Sequence, residues 1–322
     1  MLYREWFGDW LENYVMPSTK RRTYVSYGEI FDNHIDGELG DLELSEITAQ
    51  KLQRFVTKLS TQGNLKTGSG LSPNSVNSIL NILLSSLEAA YSSGALEEYK
   101  AIKIKRPKPK EKKIECFSVS EQKKIEKYIL SREKARLFGI IISLYTGLRI
   151  GELLALEWSD IDFSKGEIHV TKSCYYGKDS DGKFKRITDS PKTNSSVRII
   201  PLPRQLAGHL REIKRKSSSD YVVANGKSCV SVRSYQRTFS NILDKLGLCR
   251  RGFHSLRHTF ATRALECGMD VKTLSEILGH KSPTVTLNRY AHSLADHKRE
   301  MMNKLGKLFC AHHPNYTKNR LL

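Results

Sequence analysis

The chain of 322 residues has little that would build a metal module, a disulfide scaffold or a membrane anchor. Its six cysteines form no C-x-x-C pair, which argues against zinc modules and disulfide scaffolds. The longest apolar run, residues 137–148, is too short to span a bilayer and predicts a buried helix instead. Residues 1–16 contain four charged side chains and therefore no signal-peptide core. These absences predict a reduced, soluble, cytoplasmic protein.

Acidic residues are also in deficit. The chain has 34 Asp and Glu against 53 Lys and Arg, which gives a formal net charge of +19. Hydrophobic residues make up 39% of the chain, which is enough for folded cores. A folded chain with this surplus of cations is predicted to bind a polyanion, and nucleic acid is the usual one. The alternative is a soluble protein that is merely basic.

The charge is distributed unevenly along the chain. Residues 1–99 hold 8 basic and 13 acidic side chains, residues 100–113 hold 8 and 1, and residues 114–322 hold 37 and 20. Pro107 and Pro109 disfavour a helix in the middle stretch, which predicts a basic linker between two domains. The expected division is a domain at 1–99, a linker at 100–113, a second domain at 114–310 and a tail at 311–322.

Apolar periodicity predicts different architectures for the two domains. Residues 1–99 contain several stretches of helical spacing, including a long helix after Ser72, and predict a small all-helical bundle. In the second domain, helical stretches surround two short strands at 168–170 and 197–200. We therefore expect a mainly helical α+β domain with a small antiparallel sheet. Polar, Gly- and Lys-rich residues 174–196 form an excursion between these strands.

Five short segments of the second domain carry side chains suited to phosphate chemistry. An arginine fork can bind two phosphate oxygens, and an imidazole can move a proton. A helix break at Gly147 presents Arg149, and Glu152 lies three residues further on, where its carboxylate could hold that guanidinium. Taken singly, each segment has an ordinary surface or core explanation. In chain order they are TGLRIGE (146–152), PKT (191–193), HSLRH (254–258), LGH (278–280) and NRY (288–290).

This set of motifs, in this order and spacing, resembles the tyrosine recombinase (phage-type integrase) family. The resemblance extends over residues 113–300, and the N-terminal unit, including residues 19–48, looks like that family's core-binding domain. Integrases of phages and conjugative transposons look most similar, because of the long excursion before PKT. The resemblance implies an all-α, SAM-like core-binding bundle followed by the tyrosine recombinase catalytic fold.

The resemblance also implies a role for each motif residue. The nucleophile would attack a DNA phosphodiester and keep the 3′-phosphate as a phosphotyrosine, although a tyrosine pKa of ~10 makes it weak at neutral pH. Cationic side chains would stabilise the charge of the transition state. The implied residues are Arg149, Arg257 and His280 at the phosphate oxygens, Glu152 behind Arg149, Lys192 as acid for the leaving 5′ oxygen, His254 as the proton-transfer partner of the tyrosine, and Tyr290 as nucleophile.

The assignment of the lysine has competitors, because Lys172, Lys183 and Lys185 also lie in or beside the excursion, at whose tip PKT is expected. His258 is expected to be structural. No acidic cluster suited to two metal ions is apparent in the sequence, and the cationic side chains can supply the electrophilic help that nucleases often take from Mg²⁺. We therefore expect no cofactor and no metal. We also expect no need for ATP, because the phosphotyrosine would keep the energy of the broken phosphodiester for rejoining.

Exposed basic residues are expected to contact DNA. Because residues 1–99 are net acidic, the helical bundle should have one basic side, and uniform mixing of charge would argue against this. The candidates are Lys20, Arg21, Arg22, Lys51, Arg54, Lys105, Arg106, Lys108, Lys110, Arg233 and Arg237.

The resemblance implies a site-specific DNA recombinase of a bacterium, phage or mobile element. It would grip duplex DNA between its two domains, cut and rejoin it through a Holliday junction, and integrate or excise a mobile element. The expected partners are double-stranded DNA with inverted-repeat core sites, further copies of the chain in a homotetramer, and accessory DNA-bending or directionality proteins.

Other features leave alternatives open. A type IB-like topoisomerase uses similar chemistry, and Val271–Leu278 with residues 283–292 could form the helix-turn-helix of a non-enzymatic regulator. The amphipathic stretch 294–309 could dock on a neighbouring protomer or on its own domain. An arm-binding N-terminal domain, which many integrases carry, is not visible.

Overall fold

The computed structural model describes residues 1–98, 104–109, 115–132, 134–178, 183–189, 197–290, 302–307 and 309. At residues 178 and 288–290 it describes the backbone alone. The chain divides into two compact units, Met1–Lys112 and Lys113–Leu322.

The first unit is built of helices. Its elements are α1 (Tyr3–Trp10), a π-helical turn (Leu11–Val15), α2 (Met16–Ser18), α3 (Arg21–Ile30), a π-helical segment (Phe31–Gly40), a 3₁₀ turn (Leu44–Glu46), α4 (Ala49–Gln62) and α5 (Pro73–Ser92). The Thr48 and Ser72 hydroxyls cap α4 and α5 by accepting hydrogen bonds from backbone N–H groups of the first turns. Apolar faces of these helices meet in one core.

The described part of the basic middle stretch runs along α4 and α5. Ile104 packs against the apolar core of the first unit. The Gln53 amide pairs with the Lys105 backbone, since Oε1 accepts from the backbone N–H at 2.8 Å and Nε2 donates to the carbonyl at 3.3 Å. Asn77 donates to the Pro107 carbonyl at 3.1 Å. The described residues 104–107 therefore follow a defined path on the helices of the first unit.

The second unit mixes helices with short strands. Its elements are α6 (Val119–Leu130), α7 (Ala135–Thr146), α8 (Ile150–Ala155), a 3₁₀ turn (Trp158–Asp160), β1 (Ile161–Asp162), β2 (Glu167–Val170), β3 (Ser173–Lys178), β4 (Phe184–Asp189), β5 (Arg198–Pro201), α9 (Arg204–Lys216), β6 (Ala224–Asn225), β7 (Ser228–Cys229), α10 (Val232–Lys245), α11 (His254–Glu266), α12 (Val271–Leu278) and α13 (Pro283–Tyr290). Its largest core is centred on α7, which is buried along most of its length.

The strands form three small antiparallel groups. One sheet has the order β1–β2–β5, β3 pairs with β4, and β6 pairs with β7. The β3–β4 ribbon pairs from Ser173↔Asp189 to Lys178↔Phe184, so the chain has already returned along β4 by Asp189. The PKT motif, expected at the tip of the excursion, comes after β4 in the chain and lies outside the described residues.

The helical first unit and the mainly helical second unit with small antiparallel sheets confirm the predicted fold class. Across the part of the chain that the structure describes, every helix is either too short or too polar to cross a bilayer.

Candidate functional site

A tight turn between α7 and α8 presents the first arginine. Helix α7 ends at Gly147, whose φ of +68° is a left-handed conformation that glycine adopts readily. A Cβ at this position would lie 2.6 Å from the Phe260 ring and 2.8 Å from Leu278. Arg149 then occupies the N-cap of α8 with extended backbone. The glycine thus allows both the reversal of the chain and its close approach to α11 and α12.

The Glu152 carboxylate binds both the backbone and the side chain of Arg149. Its carboxylate accepts a hydrogen bond from the Arg149 backbone N–H at 2.9 Å and from Nη1 at 2.7 Å. Burial acts to raise the pKa of Glu152, but the hydrogen bonds and charges of Arg198 and Arg149 outweigh it and lower that pKa to about 2. Glu152 is therefore ionised throughout the physiological range. The sequence correctly predicted that this carboxylate lies against Arg149.

Arg198 was not predicted as a site residue. It lies on β5 with a side chain that is 6% exposed, and its Nη1 and Nη2 donate to the two oxygens of Glu152 at 3.1 and 2.9 Å. Its Nε donates to the Ile277 carbonyl at 2.6 Å. A signal was present in the sequence, because residues two apart in a strand share a face. Arg198 therefore lies on the same face of β5 as the buried Ile200.

Two arginines and a histidine meet at the end of α12. Arg257, on α11 and only 2% exposed, donates from Nη2 to the Leu278 carbonyl at 2.6 Å and from Nη1 to the Gly147 carbonyl at 2.8 Å. Arg149 Nη2 donates to the carbonyl of the next residue, Gly279, at 3.1 Å. His280 follows immediately. The backbone of residues 278–280 therefore brings three of the predicted site residues together.

The orientation of His280 is fixed by its neighbours. Gly279 ends α12 with a φ of +63°, and the His280 backbone N–H returns to the Ser275 carbonyl at 3.0 Å. The ring Nδ1 lies 2.7 Å from the hydroxyl oxygen of Thr286, which is fully buried on α13. Thr286 was also missed at the level of sequence, where a threonine in a polar segment gives no distinctive signal.

His254 occupies the first turn of α11, three residues before Arg257. Its side chain is exposed, as required of a group that meets a substrate. Its ring meets that of His258 edge to face, with centroids 4.6 Å apart. His254 and Arg257 leave the same helix at one-turn spacing, so one element positions both.

The lysines near the excursion have different surroundings. Lys192 lies outside the described residues. Lys172 forms ion pairs with Glu157 at 2.7 Å and Asp160 at 3.4 Å. Partial burial of Lys172 acts to lower its pKa, but these two carboxylates outweigh burial and raise it. Lys172 is thus committed to a structural ion pair and poorly suited to giving up a proton.

Tyr290 is the last residue of α13, ten residues after His280, and its side chain lies outside the described residues. Among the described residues, no group of three or more His, Cys, Asp or Glu side chains is arranged to hold a metal ion. The arrangement places two guanidinium groups, anchored on fixed backbone carbonyls, beside the His280 imidazole. Such a group of cationic and hydrogen-bonding side chains is suited to stabilising a phosphate whose negative charge grows during reaction.

Most of the predicted DNA contacts lie at the surface. Arg233 and Arg237 are exposed one turn apart on α10. In the first unit, Lys51 and Arg54 of α4 line a pocket of about 280 Å³ together with Lys58. Lys110 lies outside the described residues. Arg21, Arg22, Lys105, Arg106 and Lys108 are exposed, and Lys20 is half-buried.

The sequence is similar to those of known proteins. Residues 117–297 match the model of the phage integrase family, and residues 2–60 match that of the phage integrase N-terminal SAM-like domain. A tyrosine recombinase XerC-like protein of Caldanaerobacter subterraneus subsp. tengcongensis is 33% identical, with 93% of this chain and 81% of that protein covered. The ICEBs1 integrase of Bacillus subtilis is 27% identical, with 90% and 79% covered.

A solved structure shares the fold. The Tn1549 transposon integrase in complex with transposon right end DNA has a TM-score of 0.78 and 20% sequence identity, and the match covers 95% of this chain and 100% of that one. The family model spans more than half of the chain. The protein therefore belongs to the phage integrase family of tyrosine recombinases, which are site-specific DNA recombinases.

Proposed function

We propose that this recombinase cleaves duplex DNA with Tyr290 at a phosphate bound by Arg149, Arg257 and His280. The observation that carries the proposal is the convergence at residues 278–280, where consecutive carbonyls anchor both guanidinium groups beside the histidine. These anchors fix the cations before substrate arrives, so that little reorganisation is needed when charge develops.

The phosphate contacts follow from this arrangement. Each arginine spends part of its donor capacity on backbone carbonyls, and the five N–H donors of a guanidinium allow one group to bind a carbonyl and a non-bridging oxygen together. Because the Thr286 hydroxyl already engages Nδ1 of His280, the phosphate hydrogen bond is assigned to Nε2. The residual positive charge of the site favours the pentacoordinate transition state over the ground-state diester.

The bonds and protons balance without a cofactor. The Tyr290 oxygen forms a bond to phosphorus and its proton passes to His254, while the bond to the 5′ oxygen breaks and Lys192 supplies the proton that this oxygen takes. The product is a 3′-phosphotyrosine and a free 5′-hydroxyl. Rejoining reverses these transfers with a 5′-hydroxyl of another strand. One ester replaces another, so no ATP is required.

The assembly follows from the stoichiometry of the reaction. Each protomer carries one nucleophile, and exchange of both strands between two duplexes requires four cleavages. We therefore propose a homotetramer on two DNA sites, each an inverted repeat that binds two protomers.

Residues 1–99 would form the core-binding domain, 114–310 the catalytic domain, 100–113 a basic linker between them and 311–322 a tail. Integration or excision of a mobile element, with accessory DNA-bending or directionality proteins, is the proposed biological outcome.

Covalent trapping tests the proposal. The protein is incubated with sheared and nicked genomic DNA without added metal or ATP and denatured in SDS, and the attached DNA is sequenced. Tyr290→Phe is the test variant, and Tyr176→Phe, which removes the hydroxyl of an exposed tyrosine on β3, is the matched control. We expect the wild type and the control to trap DNA at defined sites and the Tyr290 variant to trap none.

Equal trapping by the Tyr290 variant would show that another residue is the nucleophile. DNA that binds to all three proteins but is trapped by none would contradict cleavage by this chain alone. The ends of the sequenced fragments map the scissile phosphate, so that short duplexes containing this site can then be used as substrates.

A further inference from the structure

Arg198 lies among the site residues although no motif contains it. It occupies the inner face of β5, paired across the sheet with buried Val170. Its guanidinium donates hydrogen bonds to both oxygens of Glu152 and to the carbonyl of Ile277. Arg198 therefore joins β5 to the start of α8, which carries Arg149, and to the end of α12, which leads into His280.

The charges in this cluster do not cancel. Glu152 receives hydrogen bonds from Arg149 and from Arg198, so one carboxylate is shared between two guanidinium groups. The trio retains one net positive charge. Without Arg198, the carboxylate would pair with Arg149 alone, and the charge available to a phosphate from that pair would fall to zero. A buried environment makes this difference larger than it would be in water.

The geometry would change as well. Four hydrogen bonds fix the Glu152 carboxylate, and two of them come from the fork of Arg198. Loss of these two leaves the carboxylate held by Arg149 alone, through its backbone N–H and Nη1. Displacement of a catalytic group by ~1 Å can cost about 100-fold in rate.

We propose that Arg198 is a positioning residue for DNA cleavage. It acts through Glu152, holds the Arg149 guanidinium in place and keeps the net positive charge of the pair available to the scissile phosphate. This inference rests on the proposed phosphate-binding role of Arg149.

A double-mutant cycle tests the proposal. Arg198→Gln is introduced into the wild type and into Arg149→Ala, and single-turnover cleavage is measured on a nicked duplex that contains the mapped site. We expect Arg198→Gln to slow cleavage ~10–100-fold when Arg149 is present and less than ~3-fold when it is absent. DNA affinity, measured separately, should change less than ~3-fold, because the effect belongs to the transition state.

A modified substrate supplies a second readout. A methylphosphonate at the scissile position lacks one non-bridging oxygen and its negative charge, so cleavage depends less on Arg149. The defect of Arg198→Gln should shrink at least ~10-fold on this substrate relative to the ordinary duplex. A residue that only supports the fold would give the same defect on both substrates.

Arg263→Gln is the matched control, because Arg263 also pairs with a carboxylate, Glu266, and donates to a backbone carbonyl, that of Phe117, at 2.9 Å. It should show no coupling to Arg149→Ala. Thermal unfolding is recorded for every variant, and Arg198→Lys, which keeps the buried charge but not the fork, replaces Arg198→Gln in the cycle if the latter is unfolded.

Equal loss of rate in the two Arg149 backgrounds would overturn the role of Arg198. Cleavage at the wild-type rate by Arg149→Ala would instead overturn the proposed function, so the two failures are distinguishable.

Discussion

A general acid must be able to part with a proton, and the lysines differ in this respect. Lys172 is held by Glu157 and Asp160, whose carboxylates raise its pKa despite partial burial. Both the raised pKa and the engaged ammonium oppose proton transfer to a leaving oxygen. Between Lys172 and Lys192, Lys192 is therefore the better candidate for the general acid.

A substrate with sulfur in place of the 5′ bridging oxygen separates these lysines. A thiolate leaves without a proton, so the need for an acid disappears. We expect Lys192→Ala to slow cleavage of the ordinary diester ~100-fold or more and to cleave the sulfur substrate at nearly the wild-type rate. Lys172→Ala should alter both rates by the same factor. Measured single-turnover rates that show rescue of Lys172→Ala instead would assign the acid to Lys172.

Glu152 makes stability depend on pH in a defined direction. Its pKa falls from 4.5 to about 2 on folding, so its contribution is complete above 4.5 and is lost as the pH falls towards 2. Glu152→Gln should be less stable than the wild type at pH 7, and the gap should narrow by about 1 kcal/mol at pH 3.5. Urea unfolding at both pH values measures this. A gap independent of pH would contradict the depressed pKa.

At the scale of elements, the turn from α7 to α8 links packing to chemistry. Gly147 has a positive φ and lies against the ring of Phe260, and its carbonyl accepts from Arg257. The same turn presents Arg149. One glycine thus supports the placement of both arginines.

Alanine substitution distinguishes backbone strain from close packing. Gly166, in the turn between β1 and β2, also has a positive φ (+70°), but a Cβ there would meet nothing within 4 Å. Gly166→Ala should cost about 1 kcal/mol and leave cleavage unchanged. Gly147→Ala should cost about 2–4 kcal/mol, because strain and overpacking add, and should slow cleavage. Equal unfolding free energies for the two variants would show that the contact with Phe260 is unimportant.

The same elements show why the sequence predicted some features and not others. Helices were accessible because apolar spacing and caps such as Ser72 and Ser118 are local signals. The contact between Arg149 and Glu152 was accessible for the same reason, since it spans three residues. The partnership of Glu152 with Arg198 spans 46 residues and depends on the packing of β5, which local periodicity does not determine.

Packing also decides the function of α12 and α13. Their sequence is compatible with a helix-turn-helix, but the end of α12 receives hydrogen bonds from Arg149, Arg198 and Arg257. A regulator's recognition helices would have no need of these buried anchors. The long-range contacts therefore favour the catalytic interpretation that the short motifs suggested.

At the scale of the whole molecule, the charge is concentrated after residue 99. The chain carries a net charge of +19, although residues 1–99 are net acidic. Overall charge attracts DNA of any sequence, whereas a contact with a phosphate also releases condensed counterions. The two effects can be separated by mutation. Removing any exposed cation lowers the overall charge equally, but only removing one that contacts a phosphate also changes counterion release.

Arg233 and Arg237 of α10 provide this test. Arg233→Ala and Arg237→Ala should each weaken binding to duplexes of every sequence and reduce the slope of log K against log salt by about 1. Cleavage at saturating protein should be unchanged. Lys165→Ala, which removes one charge from the exposed β1–β2 turn, is the control and should leave the slope nearly unaltered. Titrations of fluorescent DNA at several salt concentrations give these slopes. If the Lys165 variant lost as much as the α10 variants, attraction would depend on overall charge alone, and the predicted contacts on α10 would be wrong.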